Sequence, residues 1–471
     1  MPRRQRRQPH RRRPTRRRPR ECRRRVGSVR IFRLAVIAPA ASPRPTTLPH
    51  HVRFPDTRQN ARLQVTRSPA ARVKILFIQN RILFPTNTGG RIRTLNILRH
   101  LCRWHDVTYI CSVEPKDEPH FDEMRAVGMK LEPIPFRGTT HDNLKFYWDL
   151  AINTCFQKTP FNVTKDFNPA LRQRAEELLA DGSFDLVICD FVLMGPAAFD
   201  LPCRRHLLFQ HNVEAQIFER HAKTDRTWLR RQIMYRQWQK MLKYEAAAGD
   251  KFHRAIAVSD QDREFFEREY GWNHVDVIDT AVDVDYFDPR PEAEVANRVA
   301  FVASMDWLPN QDGAAWFVER VWPLLRQDFP DLNFQIVGRN PSPMVRNLAQ
   351  ADGVEVLGTV PDVRPYLAEA AVVVVPLLVG GGTRIKIYEA MAMNKPVVSS
   401  TIGAEGLKVT HDTDILLADT VEACAEAVRR LLENPEERHR IGKAAGQLVR
   451  ENFTAEQVAR QFEAVCQKTI A

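Results

Sequence analysis

From residue 73 onward, short runs of β-branched and aliphatic residues alternate with helix-length segments whose apolar positions recur every three or four residues. VKILFIQ (73–79), DVTYICSV (106–113), DLVICDF (185–191), HLLFQ (206–210), RAIAVS (254–259) and VDVID (275–279) predict one set of strands. DPRPEAE (288–294) breaks the rhythm, which restarts with RVAFVAS (298–304), NFQIVG (333–338), VEVLG (354–358), AVVVVPL (371–377), PVVSS (396–400) and DILLA (414–418). Strands alternating with helices predict parallel sheets covered on both faces, so the expected fold class is α/β: two Rossmann-like, doubly wound domains, 73–287 and 288–453. Ligands settle beyond the carboxyl ends of strands in such sheets, which places function in the cleft where the two domains face each other. Residues 454–471 predict a closing helix with Val458, Phe462 and Val465 as its apolar positions.

The net charge of +13 is misleading until it is placed along the chain. Residues 1–72 hold 22 Arg, no Lys, and only Glu21 and Asp56 as acids; that tail is +20, and the other 399 residues are −7. A mildly acidic body offers no broad basic face for a phosphate backbone, so no nucleic-acid partner is expected. The tail is too charged and too rich in proline to pack, and is expected to be disordered. It reads as a basic arm for acidic lipid or nucleic acid, as an organelle presequence, or as an extension upstream of the native start; its Arg-only composition favours the last. The eight cysteines form no CxxC pair, which fits reduced thiols in a cytoplasmic protein. No run is long and apolar enough for a membrane span, and residues 29–40 are interrupted by Arg30 and Arg33.

The stretch GGGTRIKIYEAMAMNKPVV (380–398) carries the most chemistry. Gly380, Gly381 and Gly382 let backbone N–H groups approach an anion closely, Thr383 is an N-cap, and the helix that follows adds positive potential at its start. Arg384 and Lys386 in the first turn oppose the helix dipole unless an anion sits nearby, and a diphosphate fits that description. Glu389, one turn on, is suited to accept hydrogen bonds from ribose hydroxyls. A solvated stripe of local ion pairs is the competing reading, and the triple glycine weighs against it.

This stretch resembles the donor-binding signature of the retaining GT-B glycosyltransferases of family 4. The family pattern has two glutamates eight positions apart; here Glu389 stands as the second and Gly381 occupies the place of the first. The resemblance runs from residue 73 to about 465. It implies donor contacts from the glycine loop, Thr383, Glu389 and Glu405 of GAEGL (403–407), with Arg384 and Lys386 stabilising the departing phosphates. TNTGGRIRTLNILRHL (86–101) resembles the loop of the first domain that faces donor and acceptor, through Gly89 and Gly90. FQHNVEAQIFERH (209–221) places His211 where members carry a histidine near the donor sugar. Asp306 and Asn310 of VASMDWLPNQDG (302–313) are candidates to line the cleft, whereas AVSDQDREFF (from 257) and TAVDVDYF (from 280) are read as structural. Asp190 and His211 are candidate contributors to catalysis, with no general base assigned.

The resemblance thus implies sugar transfer from a nucleotide-diphosphate-sugar to a hydroxyl acceptor, a glycan or lipid-linked glycan, with retention, and a final helix that crosses back to the first domain. The competing readings are a nucleotide-sugar 2-epimerase of the same fold, which needs no acceptor, and a non-catalytic nucleotide-sugar-binding protein. The basic segment 226–243, with Trp228 and Trp238, reads either as a helix resting on lipid headgroups, giving peripheral membrane contact, or as a core helix with a solvated face. No cofactor is expected, since the nucleotide-sugar is a substrate. Asp283-Val284-Asp285 and Asp412-Thr413-Asp414 spell DxD, a pattern that arises readily by chance, and no essential metal is expected. Turnover should therefore survive excess chelator; complete loss that magnesium restores would refute the metal-free reading.

Overall fold

The structure is a computed structural model that describes residues 72–86, 88–138, 144–224, 227–379 and 385–471. The expectations for residues 1–71, and those for Gly380, Gly381, Gly382, Thr383 and Arg384, lie outside the described residues.

In the first lobe, β1 (Lys74–Gln79), β2 (Asp106–Val113), β3 (Lys130–Pro135), β4 (Leu186–Asp190), β5 (His206–Phe209), β6 (Arg254–Ala257) and β7 (Val275–Val277) form a parallel sheet in the order β3-β2-β1-β4-β5-β6-β7. In the second, β8 (Val295–Val302), β9 (Asn333–Val337), β10 (Val354–Gly358), β11 (Ala370–Val375), β12 (Val397–Ser399) and β13 (Leu416–Leu417) are parallel in the order β10-β9-β8-β11-β12-β13. Each order runs outward in one direction and then reverses, so each sheet has one gap, β1/β4 or β8/β11, where the chain leaves the two strands to opposite sides. The helices that matter below are α1 (Gly89–Trp104), α2 (Leu144–Phe156), α3 (Glu214–Thr224), α4 (Trp228–Gly249), α5 (Ile385–Ala392) and α6 (Ala455–Ile470).

Burial follows the two-residue period of a strand. Ile75 and Phe77 of β1 join the apolar cluster on one face of the first sheet, and Leu76 and Ile78 join the cluster on the other. The first cluster includes Leu95 and Leu98 of α1 with Val458, Phe462 and Val465 of α6, and the second includes Met241 and Ala248 of α4. Helix α6 starts at a capping box in which Thr454 and Gln457 satisfy each other's backbone N–H groups. It lies against the first sheet, with Phe462 edge-on to Phe209 at 5.1 Å and Gln461 bonding both the backbone N–H and the carboxyl of Asp279. Fully burying a side chain such as Phe462 contributes about 1.5–3 kcal/mol.

Two elements differ from the pattern-based expectation. Strand β3, KLEPIP, went unpredicted because Pro133 and Pro135 argue against a strand; it lies at the sheet edge, where their missing N–H groups leave no ladder bond unmade on the outer side. Strand β8 reaches back to Val295, beyond the expected start at 298, because its first three residues are exposed and show no apolar alternation. The two tryptophans of α4 divide the two readings of that helix: Trp238 packs against the core of the first lobe, and Trp228 is exposed. Among the described residues no helix is long and apolar enough to cross a membrane.

Candidate active site

The ends of β1 and β4, the start of α1 and the segment after β5 bring Gln79, Asp190, Thr94 and His211 together at the β1/β4 gap. Asp190, the last residue of β4, is fully buried and accepts from Gln79 Nε2 (2.5 Å) and Thr94 Oγ1 (2.9 Å) on one oxygen and from His211 Nε2 (2.5 Å) on the other. The remaining ring nitrogen of His211, Nδ1, faces Arg93 Nη1 at 3.2 Å, and Arg93 Nη2 donates to Thr280 Oγ1 at 3.1 Å. An arginine only donates, so Nδ1 is the accepting nitrogen and the proton of the neutral ring sits on Nε2, toward Asp190. Burial pushes the His211 imidazole below its ordinary range more than Asp190 holds it up, which keeps it neutral at pH 7. Burial also lowers the Arg93 guanidinium, to about 10, so it stays charged.

Phe191 fixes this arrangement from above. It has φ +71°, a left-handed conformation that a residue with a bulky side chain adopts only where its surroundings impose it, and its ring stacks on His211 at 4.1 Å and 11°. The ring also reaches Gly90, where an added Cβ would sit 3.2 Å from it and 3.9 Å from His211 Nδ1. Both nitrogens and one face of the imidazole are thus occupied by protein.

The second lobe answers at its own gap. Lys386, in the first turn of α5 beside β11, donates from Nζ to Asn310 Oδ1 (2.7 Å) in the segment after β8, and the same Nζ lies 5.2 Å from the Phe301 ring centre. Asn310 is oriented by its own amide, which donates to the Ser304 carbonyl at 2.7 Å. Glu389, one turn further along α5, is half-buried; burial pushes its carboxyl up to about 7 against the opposing pull of Lys386. Asp306 forms an ion pair with Arg339 at 3.2 Å.

The two gaps face each other. A Cβ on Gly89 would lie 3.6 Å from Ile385 Cδ1, so the start of α1 meets the start of α5 across the cleft. A cavity of about 460 Å³ is shared by the lobes: Asn212, Gln216 and Asp262 line it from the first, and Glu405 and Gly406 from the second. The structure thereby brings Gly89, Gly90 and His211 together on one side and Lys386 and Glu389 on the other, and sets Glu405 on the shared cavity. Arg93, Phe191 and Gln79 were not singled out in the sequence. Arg93 had a readable signal, a cation in the first turns of a helix entered through two glycines; Phe191, whose backbone conformation is what matters, had none.

Replacing Arg93 with Met should destabilise the protein by about 1–3 kcal/mol, because His211 Nδ1 and Thr280 lose a buried donor and the carboxyls of Asp262 and Asp190 lose a nearby cation; an unchanged urea midpoint would refute these contacts. Glu389 makes a pH-dependent prediction. Its folded value of about 7 exceeds the ordinary 4.5, so between those values the folded form holds a proton that the unfolded chain releases, and stability falls as pH rises through the window. Relative to Glu389→Gln the wild type should lose on the order of 1–3 kcal/mol between the two ends, the lower figure reflecting the solvent access that the residue keeps. Parallel stability profiles for the two proteins would count against it.

Residues 88–286 match the Glycosyltransferase Family 4 model and residues 296–434 the model for Glycosyl transferases group 1. An uncharacterised 44.6 kDa protein of the Klebsiella pneumoniae cps region is 23% identical over 400 residues, covering 82% of this chain and 97% of that one. The MMP α-(1→4)-mannosyltransferase of Mycolicibacterium hassiacum is 26% identical over 404 residues, covering 79% and 94%. Among solved structures, Anabaena HepE in complex with UDP-glucose superposes with a TM-score of 0.59 at 14% identity, covering 84% of this chain and 99% of that one, a likeness of fold. The two family models meet on the two lobes whose gaps face each other, and the chain belongs to the group 1, or family 4, glycosyltransferases, with the GT-B fold.

Proposed function

We propose that this glycosyltransferase moves a hexose from a nucleotide-diphosphate-sugar to a hydroxyl of a glycan or lipid-linked glycan, with retention of anomeric configuration and without a metal. The observation that carries the reading is Lys386, held by Asn310 at the β8/β11 gap beside Ile385, which meets the start of α1 across the cleft. A cation in the first turn of a helix is unfavourable for the helix dipole, and an anionic substrate group at that point removes the penalty. The UDP-glucose seen with Anabaena HepE supports a donor of this class, and the cps-region relative supports a glycan acceptor.

In this reading the bond from the anomeric carbon to the diphosphate breaks, its electron pair leaves with the phosphate oxygen, and the acceptor oxygen bonds from the same face as its hydroxyl proton passes to that departing oxygen. Negative charge grows on the phosphates, and Lys386 with Arg384 and the N–H groups of Gly380, Gly381, Gly382 and Thr383 is assigned to it. Glu389 and Glu405 are assigned to the nucleotide and sugar hydroxyls. Gly89 and Gly90 allow close approach from the first lobe. The neutral His211, braced by Arg93, Asp190 and Phe191, walls the sugar side without adding a charge that would oppose an electron-poor ring.

Lys386→Ala should lower turnover about a hundred- to a thousand-fold while leaving the thermal midpoint close to wild type. Turnover near the wild-type rate would remove Lys386 from the proposed role and the anion from its proposed place.

A further inference from the structure

The segment that carries His211, residues 210–215, is tied at both ends to one carboxyl group, that of Glu245 in α4, which is fully buried. At the near end Gln210 Nε2 donates to Glu245 Oε1 at 2.7 Å. At the far end the backbone N–H groups of Glu214 and Ala215, which open α3, donate to Oε1 at 3.0 Å and to Oε2 at 3.1 Å. Tyr270 Oη, at the end of the helix Asp260–Tyr270, completes the set on Oε2 at 2.9 Å. Among buried side chains only a carboxyl group offers acceptors to four donors at once, and burying an acid is unfavourable unless such partners are in place. Burial, with Glu214 nearby, pushes the Glu245 carboxyl up to about 8; a proton on Oε2 is then donated to the Tyr270 hydroxyl, and the other three contacts stay.

The same layer of side chains holds the strained turn whose ring stacks on the imidazole. Val192 follows Phe191, and both its backbone groups are held: its N–H donates to Gln210 Oε1 at 2.8 Å, and its carbonyl accepts from Tyr244 Oη at 3.1 Å. A left-handed backbone at a bulky residue persists only where its surroundings over-determine it, and these two bonds do so. Tyr244 and Glu245 are consecutive on α4, and α4 is locked to α2 by Gln237, whose amide donates to Asn153 Oδ1 and Thr154 Oγ1 at 3.0 and 3.1 Å. Gln210 therefore directs its amide oxygen to the Phe191 turn and its amide nitrogen to α4, and it is the residue next to His211.

We propose that Gln210 and Glu245 are positioning residues: from α4 they set the orientation and tautomer of His211 and the closure of Phe191 over it. The consequence for turnover rests on the reading of His211 as the wall of the sugar side. Misplacing such a wall by an ångström lowers turnover about ten- to a hundredfold.

The test reads the imidazole itself, by nitrogen NMR of the full chain labelled at histidine, the His211 signals being those lost in His211→Gln. Wild type at pH 7 should show the neutral ring with its proton on Nε2. Gln210→Met, of matching length and without either bond, should move these signals away from that tautomer and lower kcat for nucleotide release from UDP-glucose about ten- to a hundredfold, with a smaller change in KM. Glu245→Gln keeps an acceptor for Gln210 and should retain the wild-type signals. Met241→Ala removes apolar packing from the same helix; it should lower the thermal midpoint and leave the His211 signals in place. If Gln210→Met does not fold, Tyr244→Phe, which frees only the Val192 carbonyl, should move the signals in the same direction by less. Moved signals with unchanged turnover would uphold the positioning and overturn instead the catalytic reading of His211. Wild-type signals in Gln210→Met, or in Tyr244→Phe where that variant stands in for it, would overturn the proposal, as would equal movement in Met241→Ala.

Discussion

The site rests on one electrostatic balance: the buried carboxyl of Asp190 and the buried guanidinium of Arg93, coupled through the neutral ring of His211. An isolated charge at that depth costs several kcal/mol, and the pair is tolerated because almost every polar atom in it is matched by a donor or acceptor. Gln79 and Thr94 complete the shell of Asp190, and Thr280 takes the second Arg93 amino group. These residues come from β1, α1, β4, and the segments after β5 and β7, so the balance ties together every element that reaches the carboxyl edge of the first sheet around its gap. The backbone strain at Phe191 belongs to the same construction, since its ring closes over the imidazole.

The two lobes share a topology and use it differently. The first presents a sealed, internally neutral wall. The second presents a half-buried cation, Lys386, and an acid, Glu389, whose proton affinity lies near neutrality. Such a division suits the proposed reaction, in which one partner departs with negative charge and the other becomes electron-poor: the adjustable charges stand on one lobe and the fixed dipoles on the other.

The strand pattern was legible because both sheets are parallel and their inner strands are apolar on two faces, which separates them sharply from the helices. What escaped were elements whose stability is not written in periodicity. Strand β3 carries two prolines that only an edge position tolerates, and the first residues of β8 pair through backbone alone. Lys386, Glu389, His211 and the Gly89-Gly90 pair stood out because each is chemically conspicuous in its local segment. Arg93 and Phe191 did not, since their roles depend on what lies across the sheet: a carboxyl 97 residues away from Arg93 in sequence and an imidazole 20 residues beyond Phe191. Thr280, in a stretch read as structural, likewise takes its place only when α1 is laid beside the segment after β7.

The return of α6 to the first sheet means that the polypeptide crosses between lobes twice, once after β7 and once before α6. The crossings lie side by side: Val282 pairs with Thr454 in parallel, and its N–H bonds the Phe453 carbonyl at 2.9 Å. A single tether would let one lobe slide, twist and bend against the other. Two tethers pinned together resist sliding more than they resist bending about their common line. Any bending of one lobe against the other would then be steered by the backbone contacts that pin the two crossings together.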